Sequence, residues 1–457
     1  MSKSLLYDCI SQIDEEVYNL IKADEDRQRC GINLIASENY TSVSVLQANA
    51  SVLTNKYSEG LPYQRYYGGT EYVDAIETVC QSRALKAFGL NKEEWGVNVQ
   101  PHSGSPANFE VYTALLKPGA KLMGLNLSCG GHLTHGHQTA TKKISASSYF
   151  FTSEQYKTDE KGFINYDDLE KKFREFKPEL LICGASAYPR DWDYKRLRKI
   201  ADINNAYLMC DMAHISGFIA TKKMNNPFEY CDIVTTTTHK TLRGPRGAMI
   251  FYKKQKCRDG SGDDVEKRIN FAVFPMSQGG PHNQQTAGIA VALKQVCSPE
   301  YSNYINNLYN NTQLMCRKLI LKDYNLVTGG TDCHIVLIDL RNKGLNGSFV
   351  EKACEYANIY INKNSVPGET NMFSPCGIRI GLVAATSRGF DEQDVCKTVE
   401  LFDEVIGVCQ SIVTENMKLD EFMDSLIKDG RIEIIKEKVK VFASAFPMPC
   451  LDFLVKN

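Results

Sequence analysis

Long apolar runs are missing from this 457-residue chain. No stretch reaches the roughly 18 consecutive apolar residues that a membrane-spanning helix needs. An excess of charge of one sign is missing too. There are 53 Lys and Arg against 54 Asp and Glu, a net charge of -1. That excludes a general polyelectrolyte grip on nucleic acid. Closely spaced cysteine pairs are absent although there are 16 cysteines; the nearest two, Cys396 and Cys409, stand 13 positions apart. Zinc-ribbon and thioredoxin-type motifs are thereby excluded. Cys183 in LLICG and Cys210 in YLMCD sit among apolar residues, as buried, reduced thiols do. There is no G-x-x-x-x-G-K-[ST], no G-x-G-x-x-G after a strand and no G-x-S-x-G. A P-loop, a Rossmann dinucleotide site and a serine-hydrolase elbow are therefore not expected. The N-terminal stretch MSKSLLYDCISQIDEE lacks an apolar signal core and is acidic, so a cytoplasmic location is expected. Internal repeats and low-complexity segments are absent as well.

What is present is an ordinary globular composition, 43% hydrophobic and 23% charged, enough to bury a large core. Residues 11–30 read as an amphipathic helix with Ile13, Val17, Leu20 and Ile21 on one face and Gly31 as C-cap. From 31 to about 300, short apolar runs alternate with helical patterns. The expected strands are 96–100, 120–124, 180–184, 207–211, 232–238 and 248–252; helices are expected at 166–176 and 194–204. Near-continuous apolar strands suit burial on both faces. This alternation predicts an α/β core with a mostly parallel mixed sheet flanked by helices. A long helical region opens at 288–296, a strand is expected at 334–340, and helices at 391–414 and within 418–445. The expected organisation is an arm (1–30), a large domain (31–300) and a smaller C-terminal α+β domain (301–457). DGSGDD (259–264) reads as a surface loop.

Ligands of such sheets sit beyond the carboxyl ends of the strands, so the polar residues there carry the functional reading. Ser103, Gly104 and Ser105 follow the first strand, where a helix begins. They offer hydroxyls and free N–H groups to a phosphate, or simply a helix cap. Asp211 ends the strand 207–211. It is costly to bury without a cation or proton donor, and a protonated pyridine nitrogen would serve; capping the next helix is the alternative. Lys240 follows the β-branched strand 232–238, next to His239, and GPRG (244–247) forces a turn behind it. Desolvation there frees an amine for Schiff-base chemistry. The cluster GGHLTHGH places His132, His135 and His137 at metal-like spacings, but without an H-E-x-x-H glutamate. An imidazole stacked on a flat cofactor is the better reading, and no metal is expected. Together these groups are what pyridoxal phosphate demands.

The segment VTTTTHKTLRGPRG (234–247) resembles the lysine motif of the serine hydroxymethyltransferases. LIASENYTS (34–42), NKYSEG (55–60), RYYGG (65–69), NVQPHSGS (98–105), GGHLTHG (130–136), CDMAHISG (210–217), QGGPHN (278–283), NKNSVP (362–367) and GIRIG (377–381) resemble that family in its order, so the likeness covers essentially the whole chain. The resemblance implies a pyridoxal-phosphate transferase fold of type I, working as a homodimer with shared active sites or as a tetramer. It implies reversible transfer of the hydroxymethyl carbon of L-serine to tetrahydrofolate, giving glycine and 5,10-methylenetetrahydrofolate. By resemblance, Lys240 carries the cofactor as a Schiff base. Ser103, Gly104 and Ser105 take its phosphate, His132 stacks on its ring and Asp211 faces its pyridine nitrogen. Ser186 and His214 approach its phenolic oxygen, with Thr237 and His239 beside the lysine. Tyr57 and Gly280 reach the phosphate from the neighbouring subunit. Arg379 and Ser37 bind the substrate carboxylate, Glu59 handles protons with Tyr67 close by, and Leu133 and Asn364 belong to the folate pocket.

Two departures stand out. Gly381-Leu382-Val383-Ala384 replaces the family's G-T-P-A, and Met276 and Gln284 stand where Gly and His are usual. A threonine aldolase of the same fold lacks the LIASENY, Tyr57-Ser58-Glu59 and NKNSVP segments. A catalytically dead binding protein would not keep Lys240, Asp211, Glu59 and Arg379 together. Cys129 and Cys376, each three residues before a site residue, read as two separate reduced thiols rather than a regulatory disulfide.

Overall fold

The computed structural model describes residues 3–139, 141–369 and 374–449. Residues 1–2 of the expected arm and 450–457 of the expected C-terminal domain lie outside the described residues. At the centre is a seven-stranded sheet in the order Trp95–Asn98, Ala248–Lys253, Ile233–Thr237, Tyr207–Asp211, Leu180–Gly184, Lys121–Leu125, Thr152–Tyr156. Ala248–Lys253 is antiparallel to both its neighbours, and the remaining pairs are parallel. Leu180–Gly184, Tyr207–Asp211 and Ile233–Thr237 are buried at every position, which is why they read as unbroken apolar or β-branched runs.

The edge strand Thr152–Tyr156 was not among the expected strands. Its sequence TSEQY buries only Ser153 and Tyr156 and leaves Thr152 and Glu154 exposed, as an edge strand can, and it carries little apolar signal. The N-terminal helix differs as well. Asp14 accepts a hydrogen bond from the Val17 amide at 3.0 Å, so the helix restarts there as Glu15–Cys30 after one turn at Ile10–Ile13. An N-cap of this kind ends one helix and begins another. Gly31 does stand at the C-cap, but its backbone is extended, with φ -116°. Glycine fits there because a Cβ would meet the Tyr360 ring at 2.3 Å and force it to move.

A second sheet of four strands runs Asn325–Leu326, Val336–Asp339, Gly377–Ile380, Asn362–Asn364, antiparallel throughout. Strand Ile32–Asn33 pairs in parallel with Ile359–Tyr360, which ties the start of the 31–300 stretch to the C-terminal region. The helices Pro299–Leu321, Glu392–Ile412, Leu419–Lys428 and Gly430–Ser444 complete that region. Arg388, almost fully buried, donates to carbonyls of Gly31, Ala443 and Phe446 and so fastens the N-terminal helix to the C-terminal one. Among the described residues no helix is long and apolar enough to cross a membrane. The 15 described cysteines are all free, nine of them buried.

Candidate functional site

The parallel strands end on one edge of the large sheet, and the polar residues expected to matter lie there. Helix Gly104–Leu115 starts just beyond the first strand, with Ser103 as N-cap. The Ser103 side chain makes no capping hydrogen bond, so its hydroxyl is left for something other than the helix. Opposite it, the Thr237 hydroxyl is buried without a partner, and a Cβ on Gly104 would meet the Thr237 methyl at 2.8 Å. A helix N-terminus with an unpartnered cap and a facing orphan hydroxyl is a cradle for an anion.

Asp211 is buried at the end of its strand. Its Oδ2 accepts from Asn108 Nδ2 at 2.9 Å and faces His135 Nε2 at 3.2 Å; its Oδ1 accepts from the Ala213 amide at 3.1 Å. Burial works to raise its pKa, but the His135 contact and the nearby Lys240 outweigh it and hold the carboxyl well below the usual range. Asn108 is aligned in turn by the Thr235 hydroxyl, 2.7 Å away. Asn108 and His135 were not assigned roles from the sequence. Neither a mid-helix Asn nor one histidine of a cluster announces which distant carboxylate it will meet.

Three residues past the strand Ile233–Thr237 stands Lys240. Its loop is closed by Thr238 amide to Gly247 carbonyl (3.0 Å), Gly244 amide to Thr238 carbonyl (2.7 Å) and Thr238 hydroxyl to Pro245 carbonyl (2.6 Å). Asn39 Nδ2 donates to the Lys240 carbonyl at 2.9 Å. The turn expected from GPRG is thus a hydrogen-bonded frame. Burial lowers the Lys240 ammonium to about 8, against the opposing pull of Asp211, with Arg379 and Arg246 adding to the fall. Burial also pushes His132 down to about 4 and His239 to about 3, so both rings are neutral at pH 7. His214 is driven well below its ordinary value by burial and by Lys240. The Nδ1 atoms of His214 and His239 are buried without partners.

Arg379 comes from the smaller sheet. Its Nε donates to Asn362 Oδ1 at 3.1 Å and an Nη to the Ser186 carbonyl at 2.7 Å, placing Ser186 beside it. Burial lowers the guanidinium to about 10. Among the described residues it has no carboxylate partner, so it can receive an anionic substrate group. His334, the eighth histidine, stacks on His214 with ring centres 5.7 Å apart and meets the Ala36 carbonyl at 3.2 Å. It thereby stands behind the segment that carries Ser37. Ser37, His239 and Arg246 line a cavity of about 400 Å³.

A second group stands apart. The rings of Tyr57 and Tyr67 lie 5.1 Å apart. Tyr57 packs against Gly280, where a Cβ would come within 3.0 Å of its ring, and Glu59 Oε1 lies 3.3 Å from the equivalent point on Gly279. Tyr57 and Tyr67 are 54% and 47% exposed. Among the described residues no hydrogen bond or ring contact joins this group to Lys240, Asp211 or His132. Leu133 is exposed, and Asn364 Nδ2 donates to the Ser365 carbonyl at 2.7 Å. Leu382 and Val383 are fully buried and Met276 is exposed. Cys129 and Cys376 are free, and burial with the Glu369 carboxylate pushes Cys376 up to about 11.

The ligand atoms of His132, His135 and Asp211 lie within 4.8 Å of one another, close enough for a cation. Each group already has a partner in the chain: His132 Nδ1 meets Thr134 Oγ1 at 2.7 Å, and both Asp211 oxygens accept N–H bonds. A hydrogen-bonded frame accounts for the cluster.

The family description "Serine hydroxymethyltransferase" matches residues 10–402. The chain belongs to the serine hydroxymethyltransferase family. It is 50% identical to a serine hydroxymethyltransferase of Bombyx mori, across 99% of this chain and all of the relative. It is 49% identical to a mitochondrial member from Schizosaccharomyces pombe over 98% of this chain and 94% of the relative. A cytosolic member from Encephalitozoon cuniculi is 47% identical over 96% and 97%. Membership makes the chain a transferase enzyme with the type I pyridoxal-phosphate fold, and the mostly parallel seven-stranded sheet agrees with that fold.

Proposed function

We propose that this serine hydroxymethyltransferase moves the hydroxymethyl carbon of L-serine reversibly to tetrahydrofolate, giving glycine and 5,10-methylenetetrahydrofolate, with pyridoxal phosphate as cofactor. The observation that carries the cofactor reading is the pairing of a depressed Lys240 amine with a buried, ionised Asp211 at one sheet edge. The unpartnered Ser103 and Thr237 hydroxyls beside a helix N-terminus fit a phosphate. In this reading Lys240 supplies the amine that holds the cofactor, and Asp211 faces its ring nitrogen. His132 lies on the ring face, Ser103, Gly104, Ser105 and Thr237 take the phosphate, and Ser186 and His214 flank the phenolic oxygen. The bound cofactor supplies an electron sink for the bond broken at the substrate's α-carbon.

The chain's own residues do the rest. Arg379, with Ser37, grips the substrate carboxylate and so orients the breaking bond. The Asp211 carboxylate, held ionised, stabilises positive charge at the ring nitrogen. Glu59 holds or moves the proton at the hydroxymethyl oxygen, with Tyr67 beside it, while Leu133 and Asn364 face the folate. In this reading the complete site takes Tyr57, Glu59 and Gly280 from a second copy, as a homodimer or a dimer of dimers, which agrees with the lack of any hydrogen bond or ring contact from them to Lys240 among the described residues. We read 1–30, 31–300 and 301–457 as arm, large and small domains, with strand Ile32–Asn33 handed to the small one. Free thiols throughout the described chain suit a reducing compartment, here the cytosol.

The deciding experiment is the visible spectrum of the purified protein with serine or glycine and then tetrahydrofolate. An absorption band that shifts on adding glycine and folate is expected, together with folate-dependent turnover of serine. A colourless protein, or serine cleavage indifferent to folate, would overturn the reading.

A further inference from the structure

Glu59 directly precedes a short hairpin, and what fixes that hairpin is buried. The segment Gly60–Leu61 pairs with Gln64–Arg65, and the Tyr66 amide donates to the Glu59 carbonyl at 3.0 Å. The Arg65 side chain is 1% exposed. Its Nε donates to Asp74 Oδ1 at 2.7 Å and one Nη to Glu77 Oε2 at 2.6 Å. The other Nη donates forward to two carbonyls, Ser58 at 2.9 Å and Gly60 at 2.6 Å, the residues on either side of Glu59. Gln100 closes the frame: its Nε2 donates to the Gly60 carbonyl at 3.0 Å and to Glu77 Oε1 at 2.9 Å. Ser58 and Gly60 are buried while Glu59 between them is only half-buried. The arrangement therefore presents one carboxyl from a rigid mount.

We propose that Arg65, backed by Gln100, is the positioning residue that aims the Glu59 carboxyl at the reacting group. This rests on the role given to Glu59 above. Arg65 touches neither cofactor nor substrate; it acts through the backbone of residues 58–60. The planar fork is essential, because its donors diverge to two carboxylates and two carbonyls at once. A lysine ammonium keeps the charge but not that geometry. A displacement of about 1 Å at a proton-transferring group is enough to cost on the order of 10²-fold in rate.

The test is a double-substitution cycle on the holoenzyme, read as folate-dependent kcat and as KM for serine. Arg65→Lys is expected to lower kcat about tenfold or more while KM for serine stays within about twofold. In a Glu59→Gln background the same Arg65→Lys change is expected to move kcat by less than about twofold. Full multiplicative loss in that background overturns the proposal. Glu59→Gln alone reports on Glu59: unaltered turnover there sinks the Glu59 role and, separately identified, leaves Arg65 nothing to act through. Asp74→Asn keeps an oxygen for Arg65 Nε while removing the charge and reversing the contact with the Thr70 hydroxyl, so it should retain kcat within about threefold. A loss equal to that of Arg65→Lys would mean charge balance, not aim, is at stake, and would overturn the proposal. Amide hydrogen exchange in the cofactor-free chain gives a readout besides activity. Residues 58–66 should exchange at least about tenfold faster in Arg65→Lys, and unchanged protection overturns the mount. Should Arg65→Lys fail to fold, Gln100→Met carries the same cycle and exchange measurement, with coupling to Glu59→Gln expected and additivity overturning the clamp.

Discussion

The Lys240 edge and the hairpin that carries Glu59 at its entry are built by opposite means. Around Lys240 the polar groups are buried and several are left without partners: Thr237, His214 and His239 each hold an unmet donor or acceptor. Around Glu59 the buried groups are engaged, with all three Arg65 nitrogens donating in four hydrogen bonds, and the side chains on show are exposed aromatics. Burying unmet polar atoms costs free energy unless something satisfies them, so three of them close to Lys240 suit a bound polar ligand. Saturated polar atoms mark a mount that presents one group elsewhere. A single chain thus carries two unlike halves, which in the proposed dimer would meet across the subunit boundary.

That contrast is broken most severely at its centre. Lys240→Ala should reduce turnover by a factor on the order of 10⁴ or more with the fold intact, as followed by activity and thermal melting. A variant near parental activity would remove Lys240 from the chemistry. Asp211→Asn should cost on the order of 10²–10³ in kcat, because Asn108 and His135 would then point at a neutral group that cannot stabilise a ring cation. Steady-state kinetics at saturating serine measures it. Glu59→Gln should lose about 10² in folate-dependent turnover while serine binding, followed spectroscopically, is retained.

Much of the Lys240 edge is legible in the sequence, because each residue follows an apolar run whose end can be counted. Asp211 closes YLMCD and Lys240 follows VTTTT at those strand ends. The mount is not legible in that way. Arg65, Asp74, Glu77 and Gln100 come from a hairpin, a helix and a strand end, and only the folded chain shows that two of them are carboxylates facing one guanidinium. The same holds for TSEQY, in which Tyr156 is the one apolar residue, too few to declare a strand. It holds for Asp14 too, an ordinary acidic residue until its carboxylate is seen to cap a helix.

The two halves can also be separated physically. Mixing Lys240→Ala with Glu59→Gln chains under conditions that allow subunit exchange should restore activity. Random pairing makes half of the dimers mixed, each with one intact site, so about a quarter of parental turnover is expected. No recovery despite proven exchange would place both residues in the same subunit's site. The smallest effect concerns pH. The unliganded amine of Lys240 has its pKa lowered to about 8, so the reactive neutral form dominates above that value. The rate at which cofactor-free protein takes up pyridoxal phosphate should rise with pH and level off above about 8. An increase that continues to about 10 would show an unperturbed lysine.

Strand Ala248–Lys253 runs against both its neighbours in the large sheet. Thr237 pairs directly with Ala248, so the lysine lies on a hairpin loop clamped at both ends within one sheet. A parallel connection would have required a long crossover through a helix. The backbone under Lys240 is therefore anchored like a bridge on two abutments. Were the proposed cofactor to pass from Lys240 to a substrate amine, this anchoring would hold the span in place and leave the travel to the side chain's own four-carbon stem.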